Sequence, residues 1–320
     1  MDPRLAAWLA AAEGSDEEAV ERLWRLVLRR EVEPDARERA VEKLRAGTLS
    51  RATLLRDLVT GEEFARVALL DDAVAFAAGA RRTGERPREL RAPPRTDERP
   101  LEIPWCLARY RDERRVLDVG YAHAEPSYLS GLVALGATEL VGVDLAEAEV
   151  PGLRSVLADV RELPFDDREF ELVLCISTLE HVGLDNALYG VEGERDASGQ
   201  ERALRELRRV LVPEGRLLVT VPCGKREDLG WQVQRPAQEW IELFERSGFL
   251  VYEDELYALG DDGWRSTRDD GGAQYGERGP GASAVLCAEL RPRRLAERVR
   301  LAVRDVRHRD EPRRSTPAPE

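Results

Sequence analysis

Carboxylates placed at the ends of short apolar runs are the residues of this chain whose types and spacing point most directly to chemistry. In RVLDVGYAHAEP, Arg115 to Pro126, the residues Val116, Leu117 and Val119 predict a short buried parallel strand that Gly120 ends at a tight turn. A helix is expected from Pro126, which tolerates the first helical turn, with Glu125 at the positive end of the helix dipole. A strand, glycine turn and helix of this kind hold a nucleotide-like ligand at the carboxyl edge of a parallel sheet. Asp118 and Glu125 would repel a pyrophosphate and attract a cationic, phosphate-free ligand. S-adenosylmethionine has that chemistry. A second strand, Glu139 to Asp144, ends in an acid 24 residues after Gly120, close to the spacing at which a carboxylate accepts hydrogen bonds from ribose hydroxyls. A third, Ser155 to Ala158, ends at Asp159, and a fourth runs from Phe170 to Ile176. Each acid alone reads equally well as a solvated loop residue. Their recurrence at successive strand ends carries the ligand reading.

Over Leu101 to Leu290 the chain resembles the class I S-adenosylmethionine-dependent methyltransferases. VLDVG is similar to the first motif of that family, and LRELRRVLVPEGRLLVTVP, Leu204 to Pro222, to its helix, turn and fifth strand. The resemblance implies an α/β fold: a Rossmann-like seven-stranded sheet with helices on both faces, preceded here by a small all-α domain. It places Asp118 and Gly120 near the amino acid part of the cofactor, Asp144 at the ribose and Asp159 at the adenine amino group, with Tyr121, Leu145, Val160 and Ser177 as further cofactor-binding residues. One departure from the family pattern is the reduced glycine loop, Gly120-Tyr121-Ala122-His123-Ala124, in which alanine adds a methyl group where backbone and ligand approach.

Methyl transfer requires alignment of the acceptor and often removal of its proton. The base is expected just beyond the fourth strand, at Ser177-Thr178-Leu179-Glu180-His181. His181 has the resting acidity for that task, with Glu180 orienting its ring; a helix-capping histidine and a solvated glutamate are the structural alternatives. His123 is expected to pack near the methionine part. The loops Val182 to Gln200, Pro222 to Pro236 and Leu259 to Gly281 are polar and glycine-bearing, and loops of this kind shape acceptor sites. Tyr189, Trp231, Arg235 and Trp264 are candidates to stack on a sugar ring and hold its polar groups, and Leu259 to Gly281 reads as a mobile lid. No cluster has metal-ligand spacing, although Asp185 with other loop acids suits weak magnesium binding.

Residues 1–82 read as a helical domain, with Ser15 and Glu18 in capping-box spacing and Leu23, Leu26, Val27 and Arg30 on one face. The stretches RLWRLVLRREVEPD and KLRAGTLSRATLLRDLVTGEEF are similar to a small helical domain found beside surface-polysaccharide enzymes. That resemblance implies a carbohydrate or partner role, with simple packing as the alternative. Residues 83–100, with prolines at 87, 93, 94 and 100, read as a semi-rigid spacer, and residues 101–290 as the methyltransferase domain. The helix opening that domain carries Trp105, which either covers the cofactor or packs. Residues 291–320 read as a basic amphipathic helix through Leu295, Val299 and Val303, followed by a disordered tail. That helix suits either peripheral contact with an anionic membrane or docking on this protein's own surface.

A net charge of −13 argues against nucleic acid as the main partner, and no apolar run is long enough to span a membrane. Four cysteines without CxxC spacing read as buried thiols, and with the absence of a leader pattern they point to a cytoplasmic protein. The leading expectation is O-methylation of a saccharide or related polar small molecule in surface-glycan biosynthesis. A non-catalytic methyltransferase-like scaffold that recruits glycan enzymes is the second reading. An NAD-dependent oxidoreductase is the third, opposed by Asp118, Glu125 and the missing G-x-G-x-x-G.

Overall fold

The computed structural model describes residues 3–185, 187 and 195–293. Five helices open the chain: α1 (Pro3–Ala11), α2 (Asp16–Val27), α3 (Pro34–Arg45), α4 (Arg51–Val59) and α5 (Glu62–Thr83). Local chemistry sets their starts. Ser15 and Glu18 close a reciprocal capping box on α2, Pro34 opens α3, and the Ser50 hydroxyl accepts from the Thr53 amide at the start of α4. Val20, Leu23 and Val27 bury one face of α2 against Val41, Leu54 and Leu55. Leu26, expected on that face, is 40% exposed, and Arg30 lies past the helix end, paired with Glu33 and Glu63. The helix advances by 3.6 residues per turn, which rotates Leu26 out of the stripe that Leu23 and Val27 share.

A mixed sheet follows, built from β1 (Arg115–Val119), β2 (Glu139–Asp144), β3 (Arg154–Leu157), β4 (Phe170–Ile176), β5 (Leu211–Pro222), β8 (Phe249–Gly260), β9 (Gly263–Thr267) and β10 (Ala284–Pro292). A separate two-stranded ribbon joins β6 (Glu227–Asp228) and β7 (Val233–Gln234). The sheet order is β3-β2-β1-β4-β5-β10-β8-β9. Strands β1 to β5 are parallel, while β10 runs antiparallel between β5 and β8. The order reverses between β1 and β4, so the loops leaving those strands diverge and open a crevice at their carboxyl ends.

Helices cover both faces. The helices α8 (Gly199–Val210) and α9 (Ala237–Arg246) bury Leu204, Leu207, Trp240 and Phe244 against Leu117, Val119 and Val173. The opposite face carries α5, α6 (Arg99–Leu107) and α7 (Pro126–Val133), which bury Leu70, Ala77, Trp105 and Leu132 against Val116, Leu172 and Leu174. Consecutive strand residues thus serve opposite cores, as the pleat requires.

Three expectations need correction. The sheet has eight strands, because Asp261 and Asp262 turn the chain sharply and Gly263–Thr267 pairs back on β8 as an edge strand. The first part of the expected lid is therefore regular sheet. The boundary at residue 82 does not follow the packing: α5 shares a core with the sheet, while α1 to α4 form a separate cluster that touches α5 near Phe64. Residues 83–100 are also no spacer. The Leu90 amide donates to the Tyr257 hydroxyl at 3.3 Å, and Ala92 forms a β-bridge with Trp264. Leu295, Val299 and Val303 lie outside the described residues.

Candidate active site

The crevice at the switch point is a cavity of about 440 Å³. Asp118, Gly120, Asp144, Leu145, Asp159, Val160, Ser177 and His181 all line it, so residues 63 positions apart in the chain face one space. Gly120 sits at φ +85°, and a Cβ there would collide with the Thr178 hydroxyl. That hydroxyl donates to the Val119 carbonyl at 3.1 Å and the Ile176 carbonyl at 3.0 Å, bracing the ends of β1 and β4 together.

Asp118 is 2% exposed and accepts a hydrogen bond from the Tyr128 hydroxyl on α7. Burial, reinforced by the nearby Asp144 carboxylate, pushes its pKa up to about 7 despite that hydrogen bond. No ion pair to it forms among the described residues. Asp144 accepts from the Ala122 amide at 2.9 Å and the Ala146 amide at 3.1 Å, so it fixes the loop after β1 as well as facing the cavity. Asp159 is held by Arg161 through both carboxylate oxygens. Burial alone would raise its pKa, but the hydrogen bonds and charge of Arg161 outweigh this and hold it below the usual carboxylate range. Arg161 also lines the cavity and pairs with Asp196.

His181 follows β4 in a single 3₁₀ turn, Leu179–His181. Its Nδ1 lies 2.9 Å from the Trp231 carbonyl oxygen, which can only accept, so Nδ1 carries the proton and Nε2 is the basic nitrogen. The ring stacks on Trp231 at 5.3 Å between centroids, and Trp231 meets Tyr275 edge-on at 5.6 Å. Burial lowers the pKa of His181 to about 4. Glu180 is buried outside the cavity lining, with Oε1 3.8 Å from His181 Nε2 and Oε2 without a hydrogen-bond partner. Burial likewise raises the pKa of Glu180 well above the usual carboxylate range.

Ser177 has φ +41°, a conformation rare for a residue with a side chain. Its amide donates to the Thr220 carbonyl, and its hydroxyl donates to Glu102 Oε2 at 2.8 Å. Thr220 donates to the same oxygen at 2.9 Å, and Arg99 pairs with the other. Glu102 is fully buried on α6, so the strained residue is fixed from outside the β4 loop.

Several sequence candidates lie elsewhere. Tyr121 points beneath the sheet: it is 1% exposed, packs on Gly142, and its hydroxyl donates to the Ala148 carbonyl. Trp264 is 2% exposed on β9 and donates from Nε1 to the Thr96 carbonyl, which closes it to any ligand. Arg235 is bonded to Gln200 and lies over the Trp240 ring, away from the cavity. Trp231 touches the site through His181 without lining the cavity itself. Trp105 is fully buried against Glu255 and Arg109. Tyr189 lies outside the described residues. All four cysteines are buried and free, and among the described residues no acid, histidine or cysteine cluster suits a metal ion. Sequence reasoning missed Arg66, Glu98, Arg99, Tyr128, Arg161 and Tyr275, all of which line the cavity. No short-range pattern marks them, since they arrive from α5, the start of α6, α7 and two separate loops.

The site is a crevice lined with the carboxylates Asp118, Asp144 and Asp159 and without a glycine-rich phosphate cradle. Residues 117–219, which span β1 through most of β5, match a family model described as "Methyltransferase domain". That stretch is similar to a methyltransferase domain. Such a domain implies S-adenosylmethionine as its cofactor. The chain is 41% identical over 114 residues to an uncharacterized protein of Methanocaldococcus jannaschii, a stretch covering 33% of this chain and 42% of that protein. It therefore spans less than half the length of this curated relative. Among solved structures, a putative methyltransferase of Bacillus halodurans C-125 is 14% identical with TM-score 0.41, covering 59% of this chain and 96% of that one. The [4+2]-cyclase SpnF is 16% identical with TM-score 0.42, covering 71% and 96%.

Proposed function

We propose that this protein is an S-adenosylmethionine-dependent methyltransferase that O-methylates a polar small molecule, with a saccharide of a surface glycan as the acceptor class. One observation carries the cofactor half: a buried carboxylate, Asp118, faces the cavity with no cationic partner among the described residues. Burying an anion without a counter-charge is unfavourable, and a cationic ligand in the cavity removes that penalty. When bound, the cofactor supplies a methyl group on a positively charged sulfur whose departure needs no acid. In this reading Asp118 takes the cationic amino acid portion, Asp144 the ribose hydroxyls, and Asp159, with Arg161 beside it, the adenine edge. His181 Nε2 receives the acceptor hydroxyl proton. Val160 and Leu145 supply apolar contact to the base and sugar.

The saccharide class is supported by the resemblance of the stretches Arg22–Asp35 and Lys43–Phe64 to a helical domain beside polysaccharide enzymes and by the aromatic corner of Trp231 and Tyr275 next to His181. Aromatic faces of this kind match the apolar face of a sugar ring. Calorimetric titration with S-adenosylhomocysteine tests the cofactor half. The expected result is binding that weakens in Asp144→Ala, and no heat at millimolar ligand overturns it. Transfer of labelled methyl groups to a panel of sugars tests the acceptor; transfer confined to amines or carboxylates overturns the hydroxyl reading.

A further inference from the structure

The start of α7 follows directly on the loop that borders the cavity, yet two of its first residues are held by α5, which lies outside the matched domain. Arg66 donates from one guanidinium nitrogen to Asp97 at 2.8 Å and to Glu125, the residue that caps α7. One turn further along α5, Asp71 accepts from the Ser127 hydroxyl at 2.8 Å through one oxygen and from Arg29 at 3.2 Å through the other. Arg29 belongs to the helical cluster at the N-terminus and sits in the left-handed region, φ 60°. A hydrogen-bonded line therefore runs from that cluster through Asp71 to the first turn of α7. Arg66 lines the cavity, but its charge is already matched by two carboxylates, which suits a clamp better than a ligand contact. Asp71 and Ser127 do not line the cavity at all.

We infer that α5 is a working wall of the cofactor site, with Arg66 and Asp71 as positioning residues that set the start of α7 against the amino acid end of the ligand. This rests on the cofactor reading above. The physical reason is leverage. The loop 120–124 is fixed at its β1 end by Asp144 and Thr178, and its far end moves with Glu125 and Ser127. Releasing α7 would shift Asp118's partner Tyr128 and the loop together.

The test compares two ligands on the full-length protein: S-adenosylhomocysteine, and 5′-methylthioadenosine, which lacks the amino acid end. In Asp71→Asn and in Ser127→Ala, the Kd for S-adenosylhomocysteine should rise about fivefold, somewhat less than the full worth of a charged hydrogen bond. The Kd for 5′-methylthioadenosine should stay unchanged, and Asp71→Glu should restore the first ligand. Equal weakening of both ligands, or of neither, overturns the inference while leaving the cofactor reading intact. Failure of the unmodified protein to bind either ligand overturns both. Ser127→Ala removes only a hydroxyl, so it decides the matter even where Asp71→Asn does not fold.

Discussion

At the scale of single residues, the site is defined by what burial does to charge. Asp118 titrates near pH 7 because water is excluded from it and Asp144 lies close by. Above that pH the carboxylate is ionised and attracts a cation; below it a proton takes the cation's place. The Kd for S-adenosylmethionine should accordingly rise by about tenfold for each pH unit below about 7. Asp118→Asn should bind weakly and without that slope. A flat profile in the unmodified protein, followed by calorimetry between mildly alkaline and mildly acidic buffers, would contradict the role given to Asp118. His181 moves the other way. Burial disfavours the imidazolium, so the ring stays neutral down to about pH 4 instead of the ordinary 6.5. The acid limb of kcat should fall near that value. A base of such low pKa is a weak one, so His181→Ala should lower turnover by roughly 10²-fold, the lower end of the usual range. Undiminished turnover would reduce its role to packing against Trp231.

At the scale of elements, the parallel strands deliver the acids and the turns decide where they point. Gly120 leaves β1 with positive φ directly against Thr178, so no side chain fits between the two strand ends. Gly120→Ala combines an unfavourable backbone conformation with a clash, and we expect a loss of about 1–3 kcal/mol in stability. Cofactor affinity should fall with it, because Thr178 must move. Thermal unfolding read alongside calorimetry checks both; a variant as stable as the parent would show that the brace between β1 and β4 is dispensable. The acids of β1 and β2, and the one just beyond β3, were legible because strand, turn and carboxylate all lie within a few residues. The roles of Tyr121 and Trp264 were not. Tyr121 sits one residue past Gly120, and the direction of the turn sends it beneath β2. Trp264 read as a loop aromatic although Asp262-Gly263, with Gly263 at φ 104°, is a local hairpin-turn signal; only the pairing across β8 and β9 buries the tryptophan.

At the scale of the whole molecule, the chain before β1 is joined to the sheet more closely than its composition implies. The segment 83–100 lies along β8 and β9, with Trp264 bonded to its Ala92 and Thr96 carbonyls. Trp264→Ala should therefore destabilise the fold by about 3–5 kcal/mol, as for other large buried aromatics. Its effect on cofactor affinity at a temperature where the variant is folded should be small. A selective loss of acceptor binding, with the melting temperature unchanged, would instead return Trp264 to the acceptor site. No helix among the described residues is long and apolar enough to cross a membrane.

What the amino-acid order determined alone was local: the capping box, serine cap and prolines that start helices, the apolar runs that make buried strands, and the acids that end them. Each of these depends on neighbours within one turn or one strand. Tertiary structure decided which side chains share the cavity. Arg66 meets Glu125 across 59 residues, and Ser177 meets Glu102 across 75. Such pairs exist only once helices pack on the sheet, because their free energy comes from burial and geometry that no short window of sequence contains.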